Sequence, residues 1–363
     1  MPAIRRVVQF AARLQFGDAV SDEVLAIQRA LRAWGYRTAA YGAQVTPRLR
    51  REVYSLEQFQ PPREHWMAIY HHSIASEVSA LVRNLHCPGL MIYHNITPAE
   101  YFYGTNDLMA ELARKGRADL ASLAPHFTLG LAHSEFSRAD LEAVGFRRTG
   151  VLPLIIDFDK YRTPANPDLM RLYGDGRTNV LCVGRVAPNK RQEDVVKAFK
   201  FYKELDPDAR LILVGSDETT EAYRRWLDDL IMTLQVADVI FTGRVELGDV
   251  VAYYQTAHVL VSMSEHEGFG VPLVEAMRFG VPIVAFASSA VPETLAGSGV
   301  LVKRKEYAAI AATVYQVTHD DRLRRSLIAR ARQRLSDIDP TRLLERLREY
   351  VDEIAQSEPT AER

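Results

Sequence analysis

The sequence predicts an α/β protein with two doubly wound domains, each built on a mostly parallel sheet. Short apolar runs alternate with helical patterns in both halves of the chain. A segment rich in Pro, Asp, Asn and Gly separates the halves. A chain of 363 residues is also too long for a single domain with one ordinary hydrophobic core. We therefore expect an N-terminal domain at 1–157, a linker at 158–177 and a C-terminal domain at 178–338. A final helix and tail at 339–363 should pack back on the N-terminal domain.

The N-terminal half alternates predicted strands with predicted helices. The apolar runs that read as strands are 6–12, 36–41, 67–70, 90–93, 128–132 and 151–156. Helical spacing of apolar residues is found over 24–34, 77–85, 108–123 and 139–144. Ser21 or Asp22 is the predicted N-cap of the first helix, because both side chains can accept a hydrogen bond from a helix-start N–H.

The C-terminal half repeats this alternation. Its predicted strands are 180–186, 211–214, 239–242, 259–263, 282–286 and 299–302. Helical patterns fall at 193–205, 221–234, 248–256 and 291–295, and only helical periodicity follows residue 305. In such a sheet, ligands bind beyond the carboxyl ends of the strands. The loops that follow the strands are therefore the places to look for function.

Composition excludes several classes of protein. A net charge of -1 with 25% charged residues argues against general nucleic-acid binding, which needs a basic excess. Two distant cysteines suggest neither a disulfide framework nor a zinc site. With no long apolar N-terminal region, we expect a cytoplasmic protein. Arginine clusters at 48–51 and 147–148 allow weak contact with an anionic membrane surface, although most such clusters are solvated. The sequence does not predict the oligomeric state.

The most informative stretch is a strand-to-helix crossing at 267–275. Gly268 and Gly270 let the backbone approach a ligand, and Pro272 stands where a first helical residue is expected. The helix start favours an anionic group such as a phosphate. Glu267 and Glu275 would repel that group, so they suit the neutral hydroxyls of a sugar diol. The stretch predicts a nucleotide sugar; the alternative is an ordinary loop with a solvated Glu267.

Two further loops carry candidate phosphate contacts. Gly184 ends a strand and is followed by Arg185 and Lys190, a planar fork and a point charge for phosphate oxygens. Alternatively, Arg185 and Lys190 are two exposed cations in a loop without a ligand. Gly17 and Asp18 lie in a turn between the first strand and first helix, which makes a second candidate anion site or a simple tight turn. A lone glycine is not a dinucleotide fingerprint, so a nicotinamide cofactor gains no support.

Histidines and other polar residues follow three strands of the N-terminal half. We expect them to surround one crevice and to hydrogen-bond a substrate. A zinc site is the alternative, but we assign no metal there, because no carboxylate or cysteine joins the histidines at a usual spacing. The residues are His71, His72, His94, Asn95, His133 and Glu135.

The Glu-x7-Glu element with E-G-F-G inside it, paired with the loop of Gly184, Arg185 and Lys190, resembles the family 4 retaining glycosyltransferases. That resemblance implies the GT-B architecture, two Rossmann-like domains that face a central cleft. It also implies transfer of a hexose, with mannose among the candidates, from a GDP- or UDP-linked sugar to a glycan or lipid-linked acceptor. No metal or other cofactor would be required, and bacterial surface polysaccharide synthesis would be the setting.

The resemblance also assigns roles to residues by position. Arg185 and Lys190 would hold the donor diphosphate, Glu267 the sugar hydroxyls and Glu275 the ribose diol. The backbone of Gly268, Phe269, Gly270 and Val271 would meet the distal phosphate or the sugar. Further donor contacts would come from Gly17, Gly184, Arg244 and Val245, with His94 near the transferred sugar. Many family members have two glycines in the first loop, so Asp18 departs from the pattern and its role is open.

Two other functions compete with transfer. The same fold supports epimerisation or hydrolysis of a nucleotide sugar, and donor consumption without an acceptor would distinguish that activity. A non-catalytic subunit that binds sugar nucleotides would bind donor and show no turnover.

Overall fold

A computed structural model describes residues 4–356, and the chain folds into two compact units. The first three residues and the predicted tail beyond residue 356 lie outside the described residues. The first unit comprises the described parts of Met1–Glu100, Leu108–Asp157 and Ile338–Arg363. The second comprises Tyr101–Asp107 and Phe158–Asp337.

The first unit is built on a seven-stranded parallel sheet in the order β3-β2-β1-β4-β5-β6-β7. The strands are β1 (Arg6–Leu14), β2 (Arg37–Val45), β3 (Tyr54–Ser55), β4 (Trp66–His72), β5 (Gly89–Tyr93), β6 (Leu129–Ala132) and β7 (Thr149–Val151). The helices that follow these strands are α1 (Ala19–Ala33), α2 (Glu77–Arg83), α3 (Asp107–Leu123) and α4 (Glu135–Ala143). The strand order reverses between β1 and β4, which creates a switch point where the loops of two neighbouring strands diverge.

Three details of the first unit differ from the sequence prediction. The N-cap of α1 is Asp18, whose carboxylate accepts from the Ser21 amide, so neither Ser21 nor Asp22 caps the helix. The strand predicted at 151–156 is β7, which ends at Val151, although residues 152–156 stay largely buried. The short strand β3 was not predicted, because two residues carry no periodicity.

The second unit contains a six-stranded parallel sheet in the order β10-β9-β8-β11-β12-β13. Its strands are β8 (Asn179–Val183), β9 (Arg210–Val214), β10 (Val239–Gly243), β11 (Val259–Ser262), β12 (Ile283–Phe286) and β13 (Val300–Val302). Its helices are α5 (Pro167–Tyr173), α6 (Gln192–Leu205), α7 (Glu221–Leu234), α8 (Leu247–Thr256), α9 (Val271–Phe279), α10 (Val291–Leu295), α11 (Tyr307–His319) and α12 (Asp321–Asp337). The order is that of a dinucleotide-binding fold, with the switch point between β8 and β11. The predicted fold class, two doubly wound parallel-sheet domains, is confirmed.

The segment 158–177, predicted as a linker, is folded as part of the second unit. It contains α5, which packs against α8. The side chain of Asn166 donates to Asp249 at 2.7 Å, and its amide donates to the Gly248 carbonyl at 3.0 Å. The Pro, Asp and Asn residues of the segment 158–177 thus serve to cap a helix and form a turn, as well as to mark a change of domain.

The last helix, α13 (Pro340–Gln356), belongs to the first unit. One face is buried at helical spacing through Leu343, Leu347, Val351 and Ile354. The Tyr36 hydroxyl donates to Asp352 at 2.6 Å and anchors this helix in the unit. Among residues 4–356, no helix combines the length and the apolar character that crossing a membrane demands.

Candidate functional site

In the second unit, the loops after β8 and β11 meet at the switch point of the sheet. Asn189 joins them: its side chain donates to the His266 carbonyl at 3.2 Å, and its own carbonyl accepts from the Glu265 amide at 2.9 Å. Asn189 is buried, so these bonds form away from water. The two loops predicted to bind phosphate and sugar are therefore held together by backbone-directed hydrogen bonds.

A cation of one loop is paired with an anion of the other. Lys190 Nζ lies 2.6 Å from Glu267 Oε1, and the Glu267 amide donates to Ser289 Oγ at 2.8 Å. Arg185 is exposed in the same cationic loop, and its carbonyl accepts from Gln192 Nε2 at 3.1 Å. The loop backbone is thus fixed by α6 while its charged groups stand at the strand ends.

Three neighbouring strands end in glycines with positive φ. The values are +143° at Gly184, +153° at Gly215 and +65° at Gly243. A Cβ at Gly215 would lie 2.0 Å from the Gly184 carbonyl oxygen, so only glycine fits this close approach of two strand ends. Sequence reasoning missed Gly215, although a glycine directly after a predicted strand is the signal that singled out Gly184.

The helix α9 begins within the Glu-x7-Glu element. Gly270 is its N-cap with φ +92°, and the helix starts at Val271, one residue before the predicted start at Pro272. Phe269 is buried, and its carbonyl accepts from the Thr294 hydroxyl. The first turn of a helix carries N–H groups without intrahelical partners and a positive dipole end. The start of α9 therefore offers an anion-binding backbone beside Glu267.

Glu275 is buried and has two tyrosine partners. One carboxylate oxygen accepts from the Tyr161 hydroxyl and the other from the Tyr254 hydroxyl, the latter at 2.7 Å. Burial, reinforced by the neighbouring carboxylate, raises the pKa of Tyr254 well above its ordinary value. An ionised carboxylate has about four acceptor positions, so these two bonds leave capacity for a diol. Tyr161 stands in the predicted linker and was not expected near this element.

A second group of charges braces the same two loops. Lys305 Nζ contacts Asp194 at 2.7 Å and Glu265 at 2.6 Å, and Arg191 Nε contacts Asp194 at 3.0 Å. Burial alone would raise the pKa of Asp194, but hydrogen bonds from Lys305, Arg191 and Tyr307 hold it below its ordinary value. Sequence reasoning missed this network because its members are widely separated along the chain.

Two of the predicted donor contacts, Arg244 and Val245, follow β10. Arg244 is exposed, and Val245 is half-buried against the apolar core of the unit. They lie at the same carboxyl edge of the sheet as Gly184 and Gly243, since parallel strands end on one side.

In the first unit, three of the predicted histidines contact one another. His71 Nδ1 lies 3.1 Å from His94 Nε2, and His94 Nδ1 lies 3.2 Å from His133 Nε2. They come from the ends of β4, β5 and β6, which are neighbours in the sheet. Both ring nitrogens of His94 are thus used within the cluster, so a hydrogen bond from this ring to a sugar requires one of these contacts to open.

His72 does not join the cluster, which corrects the sequence expectation. Its Nδ1 lies 2.9 Å from the Tyr70 hydroxyl and its Nε2 lies 2.8 Å from the Gly116 carbonyl oxygen. Consecutive side chains of a strand point to opposite faces, so His71 and His72 cannot face the same site. Burial lowers the pKa of His72 to about 4. Its role is structural, under α3.

A carboxylate joins the histidine cluster, contrary to the sequence expectation. Glu23 Oε2, from α1, lies 3.4 Å from His133 Nε2, 3.5 Å from His94 Nε2 and 3.9 Å from His71 Nδ1. Its other oxygen accepts from the Ile155 amide at 2.9 Å. Burial raises the pKa of Glu23, an effect that His133 opposes, and burial lowers the pKa of His71 to about 3. No local spacing could have revealed a partner so distant in sequence.

The first loop of this unit is shaped by its helix cap. Gly17 is exposed with φ +75°, and one oxygen of Asp18 accepts from both the amide and the hydroxyl of Ser21, at 3.1 and 3.0 Å. A carboxylate therefore already occupies the start of α1. This is a structural reason for an acidic residue where a second glycine was expected; the role of Asp18 toward a donor stays a prediction.

Asn95 and Glu135 flank the histidine cluster without entering it. Asn95 has φ +56°, a conformation that asparagine tolerates, and its side chain donates to Ser137 Oγ at 3.0 Å. Glu135 is exposed in the first turn of α4 and pairs with Arg138 at 2.6 Å. Their predicted contact with an acceptor remains a prediction.

Known proteins resemble this chain at two levels. Residues 173–334 match the family described as glycosyl transferases group 1. The family resemblance predicted from the motifs is thus confirmed over this part of the chain, which is a little under half of its length. Among solved structures, a sucrose-phosphate synthase from Thermosynechococcus elongatus superposes with a TM-score of 0.76 at 19% identity, over 97% of this chain and 100% of the other. The structure of Anabaena HepE in complex with UDP-glucose superposes with a TM-score of 0.75 at 16% identity, over 96% of this chain and 99% of the other.

Curated relatives match about half of the chain. A GDP-mannose-dependent monoacylated alpha-(1-6)-phosphatidylinositol monomannoside mannosyltransferase of Corynebacterium glutamicum is 26% identical over 57% of this chain and 56% of its own. The O-antigen chain mannosyltransferase B of Escherichia coli is 30% identical over 47% of this chain and 45% of its own length. This chain spans about half the length of the curated relatives it matches.

Proposed function

We propose that this protein is a retaining glycosyltransferase that moves a hexose from a nucleotide diphosphate sugar to a glycan or lipid-linked acceptor. The observation that carries the proposal is the contact between Lys190 and Glu267 at the switch point of the second sheet. It brings a phosphate-binding cation and a hydroxyl-binding carboxylate to one position, beside the start of α9. A sugar diphosphate is the ligand class that requires both.

The relatives supply the nucleotide and the sugar that we propose to test first. Four relatives are named as GDP-mannose-dependent phosphatidylinositol monomannoside mannosyltransferases, and one is named as an O-antigen chain mannosyltransferase. HepE, which shares the fold, is known with UDP-glucose. GDP-mannose is therefore the first donor to test and UDP-glucose the second, with lipid-linked mannosides and O-antigen fragments as acceptors.

In this proposal the protein stabilises the leaving diphosphate with its own charges. Negative charge accumulates on the diphosphate as the bond to the sugar breaks. Arg185, Lys190 and the N–H groups of α9 would take up that charge, so that no metal is required for transfer. Glu267 would accept from the sugar hydroxyls and Glu275 from the ribose diol. Neither carboxylate is assigned as an attacking nucleophile, unlike the pair of a retaining glycosidase.

The test is transfer by the purified full chain with each donor and acceptor, with and without added Mg²⁺. We expect turnover with one sugar nucleotide, unchanged by Mg²⁺, and a product whose anomeric configuration by NMR is that of the donor. Inversion would refute the retaining assignment, and Mg²⁺ dependence would refute metal-independent transfer. Fast hydrolysis or isomerisation of the donor in the absence of acceptor would indicate a nucleotide-sugar hydrolase or epimerase instead of a transferase. Binding without turnover would indicate a sugar-nucleotide-binding subunit.

A further inference from the structure

We propose that Glu23, His94 and His133, with His71 as a fourth ligand, form a binding site for a divalent transition-metal ion in the first unit. These three residues place one ligand atom each within 4.8 Å of one another. All four side chains are almost fully buried. Its residues all belong to the first unit, and the inference does not depend on the proposed function.

The first argument is an unsatisfied oxygen. Glu23 Oε2 is buried and has no hydrogen-bond partner among residues 4–356, while Oε1 accepts from the Ile155 amide. A buried polar atom without a partner is unfavourable and requires an explanation. Here the atom points at three imidazole nitrogens at 3.4–3.9 Å. A cation bound between them would give this oxygen a bond.

The spacing of the donor atoms agrees with a metal ion. Zinc bonds of about 2.0–2.2 Å place the ligands of a tetrahedral site about 3.3–3.6 Å apart. Glu23 Oε2 lies at 3.4 and 3.5 Å from the Nε2 atoms of His133 and His94, and His71 Nδ1 lies 3.1 Å from His94 Nε2. One carboxylate with several imidazoles suits zinc, nickel, copper or iron(II), and does not suit Mg²⁺ or Ca²⁺.

Two histidines are held in the tautomer that binds a metal. His133 Nδ1 lies 2.9 Å from the Leu152 carbonyl oxygen and must donate to it, which leaves Nε2 as the ligand atom. His71 Nε2 lies 3.0 Å from Gln9 Oε1, and the Gln9 amide is oriented by its own bond to the Val24 carbonyl. His71 therefore donates through Nε2 and presents Nδ1. Such outer-shell bonds are typical of metal-binding histidines.

Three neutral imidazoles cannot supply a hydrogen to every contact of the cluster. The contacts of His133 with Leu152 and of His71 with Gln9 each need an N–H. The contacts His71–His94 and His94–His133 need one each. Four hydrogens exceed by one the three that three neutral imidazoles carry. One contact of the neutral cluster therefore stays open to an added proton, on an imidazole or on Glu23, or to a metal ion. A metal ion bound to the inner nitrogens would also coordinate Glu23 Oε2, the buried oxygen that has no hydrogen-bond partner among residues 4–356.

The experiment measures metal binding by the full chain, with a readout that does not involve turnover. Protein stripped with a chelator is titrated with Zn²⁺ and Co²⁺, and metal content, visible absorption and the unfolding temperature are recorded. We expect one ion per chain, the intense visible bands of four-coordinate Co²⁺, and a rise in Tm on binding. No binding to the stripped protein, or binding without those bands, would overturn the proposal.

Two ligand variants and one matched control separate ligation from folding. E23Q keeps an oxygen for the Ile155 amide but loses the anionic ligand, and H133Q removes a nitrogen ligand; each should weaken binding by at least about 100-fold. H72Q removes a histidine that is equally buried, next to His71 on the opposite face, and should bind metal like the wild type. Affinities unchanged in E23Q and H133Q, with circular dichroism of a folded chain, would overturn the proposal. An imidazolium signal by ¹⁵N NMR in protein that binds no metal would assign the added proton instead.

Discussion

The ammonium group of Lys190 lies 2.6 Å from the carboxylate of Glu267, and both side chains are largely shielded, at 22% and 12% exposure. The pair links the loop after β8 to the loop after β11. This largely buried ion pair holds both side chains in place at the strand ends. In the proposed mechanism the donor diphosphate draws Lys190 to its oxygens and frees Glu267 for the sugar hydroxyls.

Replacing Lys190 by Ala tests that role. We expect K190A to lose about 10²–10³-fold in kcat, since it removes a group aimed at charge that develops in the transition state. K200A, in the exposed part of α6, is the matched control and should retain wild-type rates. Steady-state kinetics with the preferred donor, with circular dichroism to verify folding, are the measurement. Near-normal turnover in K190A would remove this residue from the mechanism.

Replacing Gly215 by Ala tests the close approach of the strand ends. G215A places a Cβ 2.0 Å from the Gly184 carbonyl oxygen at φ +153°, so the loop before Arg185 must shift. G176A, at φ +90° with nothing within 4 Å, isolates the backbone effect, about 1–2 kcal/mol. We expect a greater loss of unfolding free energy in G215A than in G176A by chemical denaturation, together with weaker donor binding. Equal losses would contradict the steric argument.

Replacing Asp18 by Ala tests its assignment as a helix cap. D18A should lower the free energy of unfolding by about 0.5–2 kcal/mol, because the amide of Ser21 loses its acceptor. D18N keeps a capping oxygen and should recover most of that stability. Denaturant unfolding of both variants is the measurement. If D18N is as unstable as D18A, the carboxylate acts through something other than the cap.

The Asp194 network should make stability depend on acid. Its folded-state pKa lies below its ordinary value of about 4, so its contribution is present above that pH and is lost as the pH falls through the folded pKa. We expect the unfolding free energy of the wild type to fall more steeply below pH 4 than that of D194N. E204Q, an exposed change on the same helix, should follow the wild type. Parallel curves for wild type and D194N would exclude this contribution.

Much of the fold was predictable because the information is local. The alternation of strands and helices produced most of the observed elements to within a few residues, since side-chain periodicity depends on near neighbours alone. The loops of Lys190 and Glu267 were recognisable for the same reason: each is a short run of glycine, proline and charge at a strand end. Where local signal is weak, as in the two residues of β3, the prediction failed.

By itself the sequence determined two parallel-sheet domains, the loops that follow their strands and the family that residues 173–334 match. The tertiary structure alone decided which side chains meet. It turned His72 away from His71, brought Glu23 to three histidines, and set Tyr161 and Tyr254 on Glu275. The physical reason is that these contacts join residues far apart along the chain. Sheet order and strand register, which no local pattern specifies, determine their partners.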